Sequence, residues 1–222
     1  MHSNKILASI AAITVAAAAS QAATSIVYSN ATTYSGIILN PGLAEVGDEI
    51  ILGPGPRFGE SFRFEYYGLN FDGNEQVQLR FYNNDGTDLG NNTYLPNSVF
   101  YDSGVNSLPT PTDPSNRNTL QYDLTFTAIT LPERFTFSVS FSGIEGDDQV
   151  GLPLYNPPTV GISENDYWFN NSPWELRGTN GVGINFGASL VATSVPEPST
   201  YVLAIIGGLC GLALINRRKS RN

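Results

Sequence analysis

Residues 23–194 read as an all-β domain, an antiparallel β-sandwich of jelly-roll-like form, with a leader before it and a single apolar helix after it. Three observations predict this. Apolar and polar residues alternate with period two through four long segments. Gly, Pro, Asn and Asp break the chain at intervals of about ten residues. No segment between the two ends sustains a helical period.

The four alternating segments are Phe62 to Tyr66, Val77 to Phe81, Leu120 to Phe126 and Phe135 to Phe141. Each would bury one face of a sheet and wet the other. Shorter strands are expected at Ile26 to Tyr28, Glu49 to Leu52, Val99 to Tyr101, Gly151 to Leu154, Val160 to Ile162, Tyr167 to Phe169, Gly183 to Phe186 and Ser189 to Ala192. Turns are expected at Asn40-Pro41-Gly42, Gly53 to Pro56, Asp72-Gly73, Asp85-Gly86, Pro109 to Pro114 and Asn156-Pro157-Pro158. Asp72-Gly73 predicts a hairpin joining the Phe62 strand to the Val77 strand.

Composition excludes several chemistries. The only His is His2 and the only Cys is Cys210, both outside residues 23–194. Those residues therefore contain no Ser-His-Asp or Cys-His catalytic set, no His or Cys zinc site, no haem ligand of those types and no disulfide. Of the 20 acidic residues all but Glu197 fall between Ala23 and Ser194, with six of the 11 basic residues, giving a net charge of −13 there. Such a surface repels nucleic acid and anionic lipid. No nucleic-acid partner is expected.

The tail, residues 195–222, has three parts. Val195-Pro196-Glu197-Pro198-Ser199-Thr200 is short, polar and stiffened by two prolines that keep it extended. Tyr201 to Ile215 is an uncharged run of 15 residues, about 22 Å as a helix. It is marginal against a hydrocarbon core of ~30 Å, and flanking residues extend it to a thin-membrane span. Gly207 and Gly211 stand at G-x-x-x-G spacing. Arg217, Arg218, Lys219 and Arg221 close the chain and fix the orientation, because positive charge stays cytoplasmic.

In this order, Val-Pro-Glu-Pro-Ser-Thr, apolar helix and Arg-rich end resemble the PEP-CTERM sorting domain of Gram-negative bacteria. The resemblance covers Val195 to Asn222. It implies recognition of Pro196, Glu197 and Pro198 by exosortase, a membrane-embedded cysteine peptidase. It also implies removal or exchange of the tail, with export linked to exopolysaccharide or biofilm. A second resemblance rests on Gly47 to Leu52, Arg57 to Tyr67, Arg80 to Gly86 and Val99 to Gly104. It is to an uncharacterised β-rich ectodomain found with such tails. It spans about Asp48 to Ala192 and implies fold and location, and no activity.

At the other end, Lys5, the apolar run Ile6 to Ala19 and Ser20-Gln21-Ala22 form a secretion signal, with cleavage expected after Ala22 and Ala23 as the alternative. The organisation expected is signal peptide 1–22, ectodomain 23–194 and sorting domain 195–222. The partners expected are signal peptidase and the secretion machinery, then the inner membrane through the tail helix, then exosortase. After processing, the protein would lie at the cell surface or outside the cell, next to exopolysaccharide.

Three groups are candidate sites. Asn83, Asp85 and Asp88 bracket Gly86 and are oxygen donors of the kind calcium takes, although they miss the EF-hand spacing. Solvated turns explain the same residues, and no other cofactor is expected. Tyr167, Trp168 and Trp174 form an aromatic cluster on which sugar rings would stack. Burial in the sandwich core is the competing explanation. The third group is a carboxylate pair, Glu60 with Glu65 or Glu164 with Asp166, as glycoside hydrolysis requires. On a regular strand Glu60 and Glu65 would face opposite ways, whereas Glu164 and Asp166 would share a face. Nothing in the sequence singles out either pair, and the expectation is a structural, non-enzymatic protein, with glycan binding as the alternative.

Overall fold

The computed structural model describes residues 23–109, 119–178 and 183–194. The signal segment, the Pro196-Glu197-Pro198 motif, the apolar run 201–215 and the basic end 217–221 lie outside these residues. Among the described residues no helix is long and apolar enough to cross a membrane.

Alternation becomes strand almost everywhere it was expected. The first eight strands are β1 (Thr24–Asn30), β2 (Tyr34–Leu39), β3 (Glu45–Ile51), β4 (Phe58–Leu69), β5 (Gln76–Tyr82), β6 (Asp88–Gly90), β7 (Thr93–Tyr94) and β8 (Val99–Ser107). Then come β9 (Thr119–Thr130), β10 (Arg134–Ser142), β11 (Gln149–Tyr155), β12 (Ile162–Ser163), β13 (Asp166–Asn170), β14 (Trp174–Gly178), β15 (Asn185–Phe186) and β16 (Ala188–Thr193). All pairings between them are antiparallel.

Two sheets result. In the first, β2 pairs β11, β11 pairs β4 and β4 pairs β9, while β16 joins β4 to β1 and β15 extends β11. In the second, the order is β14-β13-β3-β10-β5-β8, with β12 on β3. Strands β2, β3, β4 and β5 alternate between the sheets, and so do β8, β9, β10 and β11.

The core lies between the sheets and is built by the period-two faces. Phe62, Phe64 and Tyr66 of β4 meet Leu79 and Phe81 of β5 and Phe135, Phe137 and Val139 of β10 in one buried cluster. The Phe62 ring lies 5.2 Å from Phe81 and 5.0 Å from Phe137, both in the facing sheet. Aromatic rings at these separations add about 0.5–1.5 kcal/mol per pair to the burial of their area. A domain without disulfides draws its stability from this cluster.

The expected hairpin at Asp72-Gly73 is not one. β4 belongs to the first sheet and β5 to the second, so residues 70–75 turn a corner between sheets. The fully buried Glu75 holds this corner: its carboxylate accepts from the backbone N–H of Asp72 at 2.6 Å and of Gly73 at 2.9 Å. An Asp-Gly dipeptide specifies a local turn and carries no information about which sheet the next strand joins. β2, β6, β7 and β14 were not anticipated; β2 and β14 are short and lack clean alternation, and β6 and β7 form a two-strand ribbon inside a loop.

Candidate functional site beneath the loop on the second sheet

β3 and β10 each contain five consecutive buried residues, 46–50 and 135–139. A strand solvated on one face would alternate, so the outer face of the second sheet is covered here. The segment between β5 and β8, residues 83–98, reaches that face, since Arg134 Nη1 donates to the Asn92 carbonyl at 2.7 Å and Thr136 Oγ1 to Asn84 Oδ1 at 2.9 Å.

This loop is closed by its own backbone. Asn83 N donates to the Ser98 carbonyl at 2.8 Å, and Asn97 N returns to Asn83 at 3.1 Å. Gly86 N reaches the Leu95 carbonyl at 3.0 Å. A Cβ on Gly86 would stand 2.7 Å from that same oxygen, so only glycine allows the approach. Asp85 ties the base, accepting from Ser98 N at 2.9 Å and Ser98 Oγ at 2.5 Å. Those two hydrogen bonds hold its carboxyl below the usual range. At the tip, Asn91 and Asn92 adopt φ of 55° and 61°, the left-handed pair that Asn tolerates in a tight ribbon turn.

On one side of the loop lies a cleft of about 240 Å³ lined by Glu49, Asn91, Thr93, Arg134, Glu164 and Asp166. Arg134 Nη1 is 3.1 Å from Glu49 Oε1. Burial pushes the Glu49 carboxyl up to about 6; Arg134 opposes the shift, and Asp166 and Glu164 add to it. Burial, then Glu164, also raises the Asp166 carboxyl. Next to Glu49, Asp48 points the other way, into the core. It is fully buried, and burial holds its carboxyl well above the normal carboxylate range. It accepts from Ser163 Oγ at 2.6 Å and from Phe186 N at 2.8 Å. Chemically the cleft gathers three carboxyl groups and one guanidinium. The Glu49 carboxyl is held above the usual carboxylate range by its burial.

Beyond the loop a wider groove of about 500 Å³ is lined by Thr87, Pro96, Asn97, Ser172, Pro173 and Trp174, among others. Trp174 is half-buried, its ring edge-on to Tyr82 at 5.3 Å.

The candidates predicted from sequence separate in this geometry. Of the aromatic cluster, only Trp174 keeps a face near solvent. Tyr167 is buried toward the core, 6.3 Å from Phe186. Trp168, on the opposite face of β13, is fully buried opposite Gly47. Neither offers a ring to a sugar, because both are buried in the fold.

The proposed calcium ligands do not converge either. Asp85 is committed to Ser98, Asp88 Oδ1 accepts from Gly90 N at 2.7 Å, and Asn83 Nδ2 donates to Ser98 Oγ at 2.9 Å. Among the described residues no group of three or more His, Cys, Asp or Glu side chains is placed to hold a metal. These oxygens shape the loop.

Of the carboxylate pairs, Glu60 is exposed beside a register shift and accepts from Thr24 Oγ1, while Glu65 is buried and takes the Tyr155 hydroxyl. They form no pair. Glu164 and Asp166 do line one cleft, together with Glu49 and Arg134, which the sequence reading did not single out. The outward parity of Glu49, between the core-facing Asp48 and Ile50, was the available signal.

No protein-family model, curated protein or solved structure matches this chain.

Proposed function

We propose that this protein is an exported cell-surface or extracellular-matrix component, sorted through its PEP-CTERM-like tail by exosortase and acting structurally after processing. The order of the tail carries this reading: Pro196-Glu197-Pro198, an uncharged run, then four basic residues. The absence of His and Cys from residues 23–194 removes the catalytic sets built on them, which supports a structural role. The ectodomain's strand orders, β2-β11-β4-β9 facing β3-β10-β5-β8, support the finer jelly-roll-like description. In this reading the signal segment is removed by signal peptidase. The tail helix then holds the protein in the inner membrane, with residues 23–194 outside, until exosortase acts.

Replacing Pro196, Glu197 and Pro198 together by Ala tests the sorting step. The expected result is a precursor that stays in the membrane fraction and does not appear outside the cell. Unchanged release of the variant would contradict it.

A second reading is glycan binding, and it is favoured by the groove beside Trp174. There a half-exposed indole sits among Asn97, Ser172 and Thr87, which is the pairing of apolar face and hydroxyl-binding groups that a sugar ring uses. Trp174→Ala should abolish binding to exopolysaccharide if this groove is the site. Binding that survives the substitution would remove the groove from consideration.

A further inference from the structure

Residues 23–44 carry no charged side chain; every charge of residues 23–194 lies from Glu45 onward. The fold lays this neutral stretch along one margin of the first sheet. β1 pairs β16, which stands beside Phe58 to Phe64 of β4. β2 pairs β11, which stands beside Tyr67 to Leu69 of the same strand. Both pairings are antiparallel to a strand antiparallel to β4, so β1 and β2 follow one another in the same direction.

The outer side of β1 is closed: Gly53 N donates to the Val27 carbonyl at 2.8 Å, and Ser29 bridges to Val160. β2 pairs only with β11 among the described residues. Its side chains include Tyr34, Ile37 and Ile38, exposed by 47%, 41% and 36%, and Leu43 just beyond is 71% exposed. A neighbouring hollow of about 190 Å³ is lined by Ile38, Asn40, Tyr67, Gln149 and Val150, none of them charged.

Three other edge strands are guarded. β9 carries the Arg63–Asp123 pair, β8 the Arg80–Asp102 pair, and β14 the Glu175–Arg177 pair. Charged side chains on an edge strand are the usual defence against pairing with another sheet. β2 has none.

We propose that the β2 margin is a self-association surface, on which a second copy of this chain docks β2 against β2 about a twofold axis. The charge distribution selects this occupant. Residues 23–194 carry −13, so two copies repel wherever their charged faces meet, and the neutral margin is where they approach without opposing like charges. Antiparallel pairing of identical edges closes as a twofold dimer and does not propagate from that edge. Gly36 at φ 81° and a register shift between Tyr34 and Ile38 interrupt β2, so backbone pairing is confined to Ile37, Ile38 and Leu39, and side-chain burial supplies the rest. The contact is therefore weak. It tightens as salt screens the surrounding like charges, the reverse of an interface held by ion pairs.

This inference rests on the ectodomain's own surface and is independent of the sorting reading. The test uses the full chain in detergent, with Cys210→Ser removing the only native thiol. Ile38→Cys is compared with Val105→Cys on the guarded β8 margin, where Val105 is the more exposed residue. Under mild oxidation Ile38→Cys should give at least tenfold more disulfide-linked dimer than Val105→Cys, and more at high salt than at low. Equal yields at the two positions, or a yield that falls with salt, would overturn the proposal. Adding Ile37→Lys to Ile38→Cys should return the yield to the Val105→Cys level, with an unchanged melting temperature showing that the fold is intact. Undiminished crosslinking in that variant would also overturn it.

Discussion

The covered face of the second sheet and the bare margin of the first use the same kind of strand in opposite ways. Around β3 and β10 the chain buries ionisable and polar groups together: Asp48, Glu49, Thr136 and Ser138 are all buried there. Each has a polar partner, Ser138 Oγ donating to Glu45 Oε1 at 2.6 Å, so the region is costly to disturb. Along β2 the chain exposes apolar side chains and carries no charge of its own. Substitution there removes little packing. The contrast teaches that buried ionisable groups and exposed apolar groups are kept apart in this molecule: the first lie with partners on the covered sheet, and the second lie on a strand that carries no charge.

Trp168→Ala breaks the comparison hardest. Trp168 is fully buried opposite Gly47 in the second sheet, and loss of a buried Trp costs about 3–5 kcal/mol. Denaturant unfolding should show a loss of that size; a loss below about 1 kcal/mol would mean that the region is not packed as described.

Glu49→Gln sharpens it through pH. The Glu49 carboxyl is raised from 4.5 to about 6 in the fold, so the native state binds its proton more tightly than the unfolded chain does. Its contribution is fully present below pH 4.5 and is lost as pH rises through 6, an effect of at most about 2 kcal/mol. The variant should remove the part of the stability decline that falls between those two values. A profile with the same slope there would place the proton elsewhere.

Trp174→Ala, in the half-exposed groove, should cost about 1 kcal/mol or less in the same unfolding experiment. The difference from Trp168→Ala separates a packing Trp from one with an available face. The smallest effect is expected from calcium. Because Asp85 and Asp88 are committed to Ser98 and Gly90, millimolar calcium should leave the melting temperature unchanged. A rise of several degrees would show that the loop can reorganise around a cation.

The long strands were legible because period-two alternation is a local signal, and Phe62 to Tyr66 or Phe135 to Phe141 needs no distant partner to be recognised. The corner at Asp72-Gly73 was not, because a turn dipeptide does not say whether the chain stays in its sheet. Trp168 shows the same limit for the site. Its neighbours in sequence suggest an open aromatic platform, whereas pairing with β3, a strand more than 110 residues earlier, sets it opposite Gly47 and fully buried. Glu164 and Asp166 were within reach because they lie two apart. Glu49 and Arg134 joined them only through the pairing of β3 with β10.

The central claim concerns the tail, and the mature C-terminus tests it most directly. Mass spectrometry of the exported protein should find a chain that ends before Arg217, in cells with active exosortase, and a chain that keeps Arg217 to Asn222 in cells without it. An exported protein that retains Arg217 to Asn222 in both would contradict the account.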